Sequence, residues 1–327
     1  MKRALLCALA LTFLTFLSPQ LFAETVVASI PVGSQPIHVT VNLRTNRIYA
    51  TGVTTNDMWV INGRNNTLIA TIALPAKPGR AAVNSLTNRI YVPLQSTSGG
   101  SVAVIDGATN KIVTTIATGG QPVVAAVNLF TNRIYVTNLG AFPGTLFVID
   151  GKRNTQIANI TVGGVPRGVD VNSFTNRIYA VNQADGTMSV IDGETNTVIT
   201  TVPVALPSDD EGVLAVAVNV ATNRIYALRI AGGSGSLAIV NGATNTVIGQ
   251  APAGPQTQWL AVNPLTNRIY VSNDFANTVT VVDSKSNAIL QSVNVGSGPN
   301  GVATNPFTGR IYVAVQNEDR IKVLRRP

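Results

Sequence analysis

The stretch VNSLTNRIYV, residues 83–92, contains a motif that the chain repeats almost unchanged. The motif reads V-N-x-x-T-N-R-I-Y, and its seven copies place arginines at intervals of 42, 44, 44, 47, 44 and 42 residues. Repeats of this length are typical of solenoids, helical arrays and propellers. The motif arginines are Arg47, Arg89, Arg133, Arg177, Arg224, Arg268 and Arg310.

One repeat, residues 166–204, indicates what each unit contains. Its segments GVDVN, RIYAVN, TMSVID and TVITTVPV are short, rich in Val, Ile and Tyr, and separated by turn residues. Such segments predict four β-strands per repeat. Seven four-stranded antiparallel sheets arranged radially make a β-propeller, so we predict an all-β fold with seven blades.

The two ends of the chain predict how the ring closes. The last repeat ends with RIKVL, one strand short of the others. The segment TVVASIPVG, residues 25–33, matches the pattern of a fourth strand and precedes the first motif. We therefore expect the N-terminal strand to complete the last blade, within a single propeller domain spanning residues 24–327.

The first 23 residues differ from the rest of the chain. Lys2 and Arg3 precede an apolar run over residues 4–17, and a small residue, Ala23, ends the segment. This order predicts a secretory signal peptide, and the run is shorter than the ~20 residues that a membrane-spanning helix needs. We expect an exported protein, periplasmic or extracellular, with no transmembrane segment after signal removal.

Composition excludes some classes of protein. The chain is 45% hydrophobic and 12% charged, which is incompatible with a disordered chain. Its one cysteine, Cys7, lies in the signal segment, so the mature chain has no thiol. Without Lys2 and Arg3 it has 21 basic and 15 acidic residues, a net charge of +6. That charge is a mild bias toward anionic partners.

The seven V-N-x-x-T-N-R-I-Y copies, together with an I-D-G-x-T-N turn, resemble the YVTN-type β-propeller repeat family, which includes YncE-like periplasmic proteins and surface-layer repeat proteins. The resemblance covers nearly all of residues 25–325. It implies export and binding rather than a particular reaction. It also implies an affinity for single-stranded DNA as one candidate function.

The motif turn has a backbone explanation. Its sixth residue is Asn in six copies and Gly309 in the seventh, an exchange that indicates a positive φ and predicts that Gly is tolerated there.

The motif arginine has two interpretations. Cross-strand geometry places Arg89, Arg133, Arg177 and Arg268 opposite Asp106, Asp150, Asp192 and Asp283, where they would form weak ion pairs. Alternatively, the seven arginines form a basic ring for polyanions.

Residues that depart from the repeat are the better functional candidates. Positions near the start of the inner strands should surround one mouth of the central channel, opposite the motif turns. On one inner strand Asp170 is a carboxylate at a position that is small in most other blades, and an acidic loop on the same face contains Asp209, Asp210 and Glu211. The candidate ligand-binding residues are His38, Arg80, Arg167, Asp170, Gln258, Trp259 and Asn300.

The sequence lacks the residues that most catalytic sites need. It has one histidine, and no HExxH, GxSxG or phosphate-binding loop spacing occurs. We expect no catalytic residue, metal or cofactor, and a monomeric binding or interaction scaffold for a protein or cell-envelope partner. The alternatives are a weak binder of single-stranded nucleic acid or another polyanion and, third, a hydrolase or lyase of another propeller type.

Overall fold

The computed structural model describes residues 23–140, 142–206 and 212–326. Most of the predicted signal peptide and the acidic loop with Asp209, Asp210 and Glu211 lie outside the described residues. Within them, seven antiparallel sheets form a ring of blades. Each blade has four strands, and in one blade the inner strand is split into two pieces. The predicted seven-bladed β-propeller is confirmed.

The chain runs outward through each blade, from the strand beside the central channel to the rim. Blade 1 contains β2 (Pro36–Asn42), β3 (Arg47–Gly52), β4 (Asp57–Asn62) and β5 (Thr67–Ala73). Blade 2 contains the split inner strand β6 (Lys77–Pro78) and β7 (Ala82–Asn84), then β8 (Arg89–Gln95), β9 (Ser101–Asp106) and β10 (Lys111–Ala117). Blade 3 contains β11 (Pro122–Asn128), β12 (Arg133–Asn138), β13 (Thr145–Asp150) and β14 (Thr155–Thr161).

The remaining blades follow the same order. Blade 4 contains β15 (Pro166–Asn172), β16 (Arg177–Asn182), β17 (Thr187–Asp192) and β18 (Thr197–Pro203). Blade 5 contains β19 (Gly212–Asn219), β20 (Arg224–Ala231), β21 (Ser234–Asn241) and β22 (Thr246–Pro255). Blade 6 contains β23 (Thr257–Asn263), β24 (Arg268–Asn273), β25 (Thr278–Asp283) and β26 (Ala288–Asn294).

Blade 7 joins the two ends of the chain. It contains β27 (Pro299–Asn305), β28 (Arg310–Val315), a 3-10 helix (Gln316–Glu318) and β29 (Arg320–Arg325), and its rim strand is β1 (Thr25–Pro31). The antiparallel register runs from Thr25 opposite Arg325 to Pro31 opposite Arg320. This pairing confirms the predicted ring closure. No helix in the described part of the chain has the length and hydropathy needed to cross a bilayer.

Glu24 strengthens this closure. Its backbone N–H donates to Gln291 Oε1 at 3.1 Å, and the Gln291 side-chain amide donates to the Glu24 carbonyl at 2.9 Å. The buried Glu24 side chain accepts hydrogen bonds from Arg268 and from the Tyr270 hydroxyl in blade 6. The start of the described chain is therefore bonded to the neighbouring blade as well as to its own.

The core lies between the blades. The Ile and Tyr of every motif copy are almost fully buried, with at most 2% of any of these residues exposed. Each Tyr stands on the second strand of its blade, where it packs among the apolar side chains of adjoining sheets. Burial of such aromatic side chains is a large part of the hydrophobic stabilisation. The repeated tyrosines therefore belong to the core.

The motif asparagines link the blades. The turn Asn has φ between 50° and 55° in six copies, and Gly309 has φ of 65°, as the exchange predicted. The turn Asn also has a side-chain role that the backbone explanation missed. In six places the inner-strand Asn donates from Nδ2 to Oδ1 of the turn Asn in the next blade, at 2.7–3.0 Å. In the described chain Asn263 lacks this bond, because Gly309 stands at the acceptor position.

Candidate functional site

Five of the seven predicted ligand-binding residues line one pocket of about 360 Å³ at the channel mouth opposite the motif turns. We call it the mouth pocket. Lys77, Gln95 and Gln316 also line it, together with apolar residues such as Ile37 and Leu214. The five predicted residues are Arg80, Arg167, Gln258, Trp259 and Asn300.

The split inner strand of blade 2 places Arg80 in this pocket. Between β6 and β7 the chain leaves its own blade, and the Arg80 backbone pairs with blade 3 instead. The Arg80 N–H donates to the Val123 carbonyl at 2.8 Å, and the Ala125 N–H donates to the Arg80 carbonyl at 2.9 Å. Gly79 permits this approach, because a Cβ there would lie 2.2 Å from the Val123 carbonyl oxygen.

Arg80 forms the floor of the mouth pocket. Its guanidinium donates to the Ile37 carbonyl at 3.2 Å and to Asn300 Oδ1 at 2.8 Å. The guanidinium carbon lies 3.9 Å from the centroid of the Trp259 ring, a cation–π contact. Burial, and secondarily the nearby charge of Arg167, lowers the pKa of Arg80 to about 9. The arginine is therefore a cation whose charge is poorly compensated.

The pocket wall supplies further cations and amides. Arg167 and Lys77 are exposed, and Arg167 makes a long, 3.5 Å hydrogen bond to Gln183. The Asn300 amide donates to Gln316 Oε1 at 3.3 Å, which orients its oxygen toward Arg80. No Asp or Glu lies among the described residues that line the pocket. The mouth pocket thus presents positive charge and amide groups around one aromatic ring.

Two predicted residues lie deeper, along a channel cavity of about 430 Å³. The buried His38 contacts Trp259 edge-on, with ring centroids 6.2 Å apart. Its Nε2 is 3.0 Å from the Ala81 carbonyl, so the neutral ring donates from Nε2. Desolvation, followed by the charge of Arg80, lowers the pKa of His38 to about 3. His38 therefore supports Trp259 as an uncharged side chain.

Asp170 links the inner strands of blades 4 and 5. Its two carboxylate oxygens accept 2.8 Å hydrogen bonds from the backbone N–H groups of Val171 and Val218. Burial raises its pKa to about 6, against the opposing effect of these bonds. The side chain lines the channel cavity but not the mouth pocket. Arg80 and Trp259 border both spaces, and their stacked side chains separate the polar mouth from the mainly apolar channel.

The motif arginines all hydrogen-bond within the described structure. Arg89 and Arg177 pair with Asp106 and Asp192 as predicted. Two other predicted ion pairs do not form, although the backbone register is as expected. Asp150 pairs instead with Arg153, and Arg268 pairs with Glu24.

Four motif arginines donate to a backbone carbonyl of the next blade, in the turn before its fourth strand. The arginine side chain is long enough to span the gap between two blades, so its guanidinium can hydrogen-bond a carbonyl of the neighbouring blade. These bonds join Arg47 to Gly107, Arg133 to Gly193, Arg224 to Ser284 and Arg310 to Gly63.

Sequence reasoning missed three polar lining residues of the mouth pocket, Lys77, Gln95 and Gln316. Lys77 begins β6, the first piece of the split inner strand, while Gln95 and Gln316 end or follow second strands of their blades. They could have been predicted from the sequence by their position at the same end of the blades as Arg80.

No cluster of three or more His, Cys, Asp or Glu side chains suited to a metal occurs in the described residues.

The fold and the mouth pocket define this molecule as a seven-bladed β-propeller with a cationic channel mouth. No protein-family model and no curated protein sequence matches the chain. Solved structures do match it. A structure of Kuenenia stuttgartiensis hydrazine synthase matches with a TM-score of 0.79 and 16% identity, over 89% of this chain and 95% of the other.

A crystal structure of the mitotic checkpoint complex matches with a TM-score of 0.76 and 14% identity, over 93% of this chain and 92% of the other. At these identities the similarity shows the fold alone. The resemblance to the YVTN-type family therefore stays a prediction from the repeated motif.

Proposed function

We propose that this chain is an exported, non-enzymatic binding propeller whose mouth pocket binds a small anion or an anionic group of a partner. The observation that carries the proposal is the placement of Arg80 and Arg167 in one pocket without a carboxylate among its described lining residues. An anion between them would favour the charged form of Arg80 and so offset the desolvation and the repulsion that lower its pKa.

The other groups suit the same ligand. Arginine offers several N–H donors in a planar arrangement, which matches carboxylate and phosphate oxygens. Amide side chains of Gln258 and Asn300 lie in the same wall, and Trp259 supplies an apolar surface beneath. Ligand pockets commonly combine a few polar groups with an aromatic surface.

The polyanion alternative through the motif arginines has less support. Each of those guanidinium groups already donates to a carboxylate or carbonyl, and their residues are half-buried. A ligand phosphate would have to compete with these partners. In the mouth pocket Arg167 is exposed and makes only a long, 3.5 Å hydrogen bond to Gln183, and no carboxylate lies among the described lining residues, so the pocket is the better candidate for anions.

The proposal is tested by calorimetric titration of the protein with phosphate, citrate and an uncharged sugar as separate probes. We expect saturable binding of at least one anion and none of the sugar. Arg167→Gln should weaken that binding by about tenfold, since a charge-assisted hydrogen bond contributes about 1.5–3 kcal/mol. The matched control is Arg320→Gln, a half-buried arginine that does not line the pocket. Equal effects of the two substitutions, or no saturable binding by any anion, would contradict the proposal.

A further inference from the structure

Each motif turn places one residue at an equivalent position in its blade, near the end of the central channel. This residue is the fourth of the motif, and its backbone N–H donates to Oδ1 of the inner-strand Asn two positions earlier in all seven copies. Because the local geometry repeats, the seven side chains surround the channel end on one face, which we call the motif face. Arg44 and Ala221 occupy two of these positions.

The other five positions carry large apolar side chains that the fold leaves exposed. We call them the apolar ring. Their exposed fractions run from 51% for Leu86 to 73% for Phe307, and Phe130 contacts Phe174 edge-on at 5.2 Å. Large exposed apolar side chains grouped on one face of a protein mark an interaction site. The ring consists of Leu86, Phe130, Phe174, Leu265 and Phe307.

Exposed basic side chains surround the apolar ring. They lie in the motif turns, in the turns before the fourth strands, and at the end of β29, all on the motif face. The four motif-face aspartates fold their carboxylates into their own turns, where Oδ1 accepts backbone N–H groups. The basic residues include Arg44, Arg64, Lys152, Arg153, Lys285 and Arg325.

The opposite face has a different charge. Carboxylates outside those turns are concentrated there in the described chain, and they include Asp57, Asp185, Asp274, Glu318 and Asp319. The exposed carboxylate Glu194 is an exception on the motif face. The motif face therefore combines an excess of exposed basic side chains with the exposed apolar ring, whereas on the opposite face the cations of the mouth pocket are accompanied by these carboxylates.

We propose that the motif face docks on the surface of an anionic lipid bilayer, with the apolar ring inserted between headgroups and the surrounding Lys and Arg side chains against lipid phosphates. Apolar side chains at the interface and basic residues near an anionic surface both favour such binding. This site is separate from the mouth pocket and does not depend on the proposed anion.

A lipid surface fits these residues better than a nucleic acid does. Bases stack on aromatic side chains in single-strand binding sites, and Leu86 and Leu265 offer no aromatic face. The edge-on contact of Phe130 with Phe174 also leaves those rings poorly arranged for successive bases. Insertion into lipid requires only apolar surface, which leucine and phenylalanine both provide.

The test is co-sedimentation with vesicles of phosphatidylcholine alone and of phosphatidylcholine with about one-third phosphatidylglycerol, an anionic lipid. The seven blades are complete within residues 23–326, so the protein lacking residues 1–22 is used. This avoids lipid binding by the apolar run at residues 4–17. We expect binding to the anionic vesicles and at least about tenfold weaker binding to the neutral ones.

Substitutions identify the face. Phe130→Ser, Phe174→Ser and Phe307→Ser combined should weaken binding to the anionic vesicles by at least about tenfold, with the thermal midpoint nearly unchanged because the side chains are exposed. The matched control combines Phe142→Ser and Phe275→Ser, which are 79% and 76% exposed and lie on the opposite face. The control should bind as the wild type does.

Several results would overturn the proposal. They are absence of binding to anionic vesicles, equal binding to neutral vesicles, and equal loss in the two sets of variants. If the apolar-ring substitutions instead dissociate a dimer in solution, the ring faces a second copy of the chain. If they abolish binding of a single-stranded oligonucleotide while vesicles remain unbound, the face is a nucleic-acid site. Either outcome replaces the lipid assignment.

Discussion

The side-chain amide of Asn84 in blade 2 donates a 2.7 Å hydrogen bond to Oδ1 of Asn132 in blade 3. The two residues occupy the second and sixth positions of different motif copies. Because the same bond recurs around the ring, both asparagines of the motif join neighbouring blades. The uniform turn therefore stabilises the assembly of blades as well as its own backbone.

Asn132→Gly should lower the free energy of unfolding by about 1–3 kcal/mol, because it leaves the buried Asn84 amide without its acceptor. Backbone strain does not enter, since Gly adopts the same positive φ. Denaturant unfolding measures the effect. Stability equal to the wild type would show that the bond between the blades contributes nothing.

Gly309→Asn is the reciprocal test. The site has φ of 65° and open space for a Cβ, and the new Oδ1 would supply the acceptor that Asn263 lacks. We expect an increase in the free energy of unfolding of about 0.5–1.5 kcal/mol, from the added bond and the smaller entropy of the unfolded chain. A loss of stability would contradict the assigned role of the turn asparagine.

Glu24→Ala should be far more destabilising than an exposed charge deletion. The substitution leaves Arg268, whose side chain is 12% exposed, without its carboxylate, and it removes the acceptor of Tyr270. Breaking a buried pair costs about 3–5 kcal/mol. Arg153→Gln, in an ion pair where Arg153 is 75% exposed, is the control and should change stability by less than about 1 kcal/mol. Thermal and denaturant unfolding of both variants would decide, and equal effects would refute the closure role of Glu24.

His38 should remain neutral across the physiological pH range. It is the single histidine of the sequence, so its imidazole proton resonance can be followed without assignment. The pKa of His38 is about 3 in the folded protein, and its ordinary value, expected in the unfolded chain, is 6.5. The stability from neutral His38 is therefore fully present above pH 6.5 and is lost as the pH falls toward 3. A resonance that titrates with a midpoint near 6.5 would contradict its burial beside Arg80.

Asp170 should titrate in the opposite sense. The pKa of Asp170 is about 6 in the folded protein, and its ordinary value, expected in the unfolded chain, is 3.8. The stability from its protonated form is therefore present below pH 3.8 and is lost as the pH rises through 6. Carbon NMR of the side-chain carboxyl should give a midpoint near 6. A midpoint at or below 3.8 would mean that the two backbone N–H donors outweigh desolvation.

Arg133→Gln and Arg177→Gln should lower stability slightly, by about 0.5–1.5 kcal/mol each, because each removes a partnered donor. Binding of a single-stranded oligonucleotide, measured at several salt concentrations, should be unchanged. If these arginines bound phosphates, the slope of log K against log salt would become shallower by roughly 0.7 per lost contact. Such a change would restore the polyanion interpretation.

The period of the motif was sufficient to predict the blades, because each repeat carries its own Val, Ile and Tyr strands and turn residues. Ring closure followed from the strand that the last repeat lacks. The contacts between blades could not be derived in the same way. Arg133 and Gly193 lie 60 residues apart, so a register within one blade predicts the wrong partner for that arginine. The Asn84–Asn132 bond was missed for the same reason.

The candidate site was predictable in part. Position along the inner strands was enough to bring Arg80, Arg167 and Trp259 to one mouth. The depth of each residue in the channel could not be predicted in this way. His38 and Asp170 lie beyond the Arg80–Trp259 stack, and that stack depends on the split strand at Gly79. The apolar ring was missed because Phe and Leu at a turn position give no periodic pattern within a blade.

The central claim, that the mouth pocket binds an anion, is tested most directly by the fluorescence of Trp259. The sequence has two tryptophans, so a Trp59→Phe background leaves Trp259 as the sole reporter beneath Arg80. Titration with the anion that binds in calorimetry should change its emission saturably, with the same dissociation constant, and Arg167→Gln should shift that constant about tenfold. Calorimetric binding without any change in Trp259 emission would place the anion elsewhere and contradict the account.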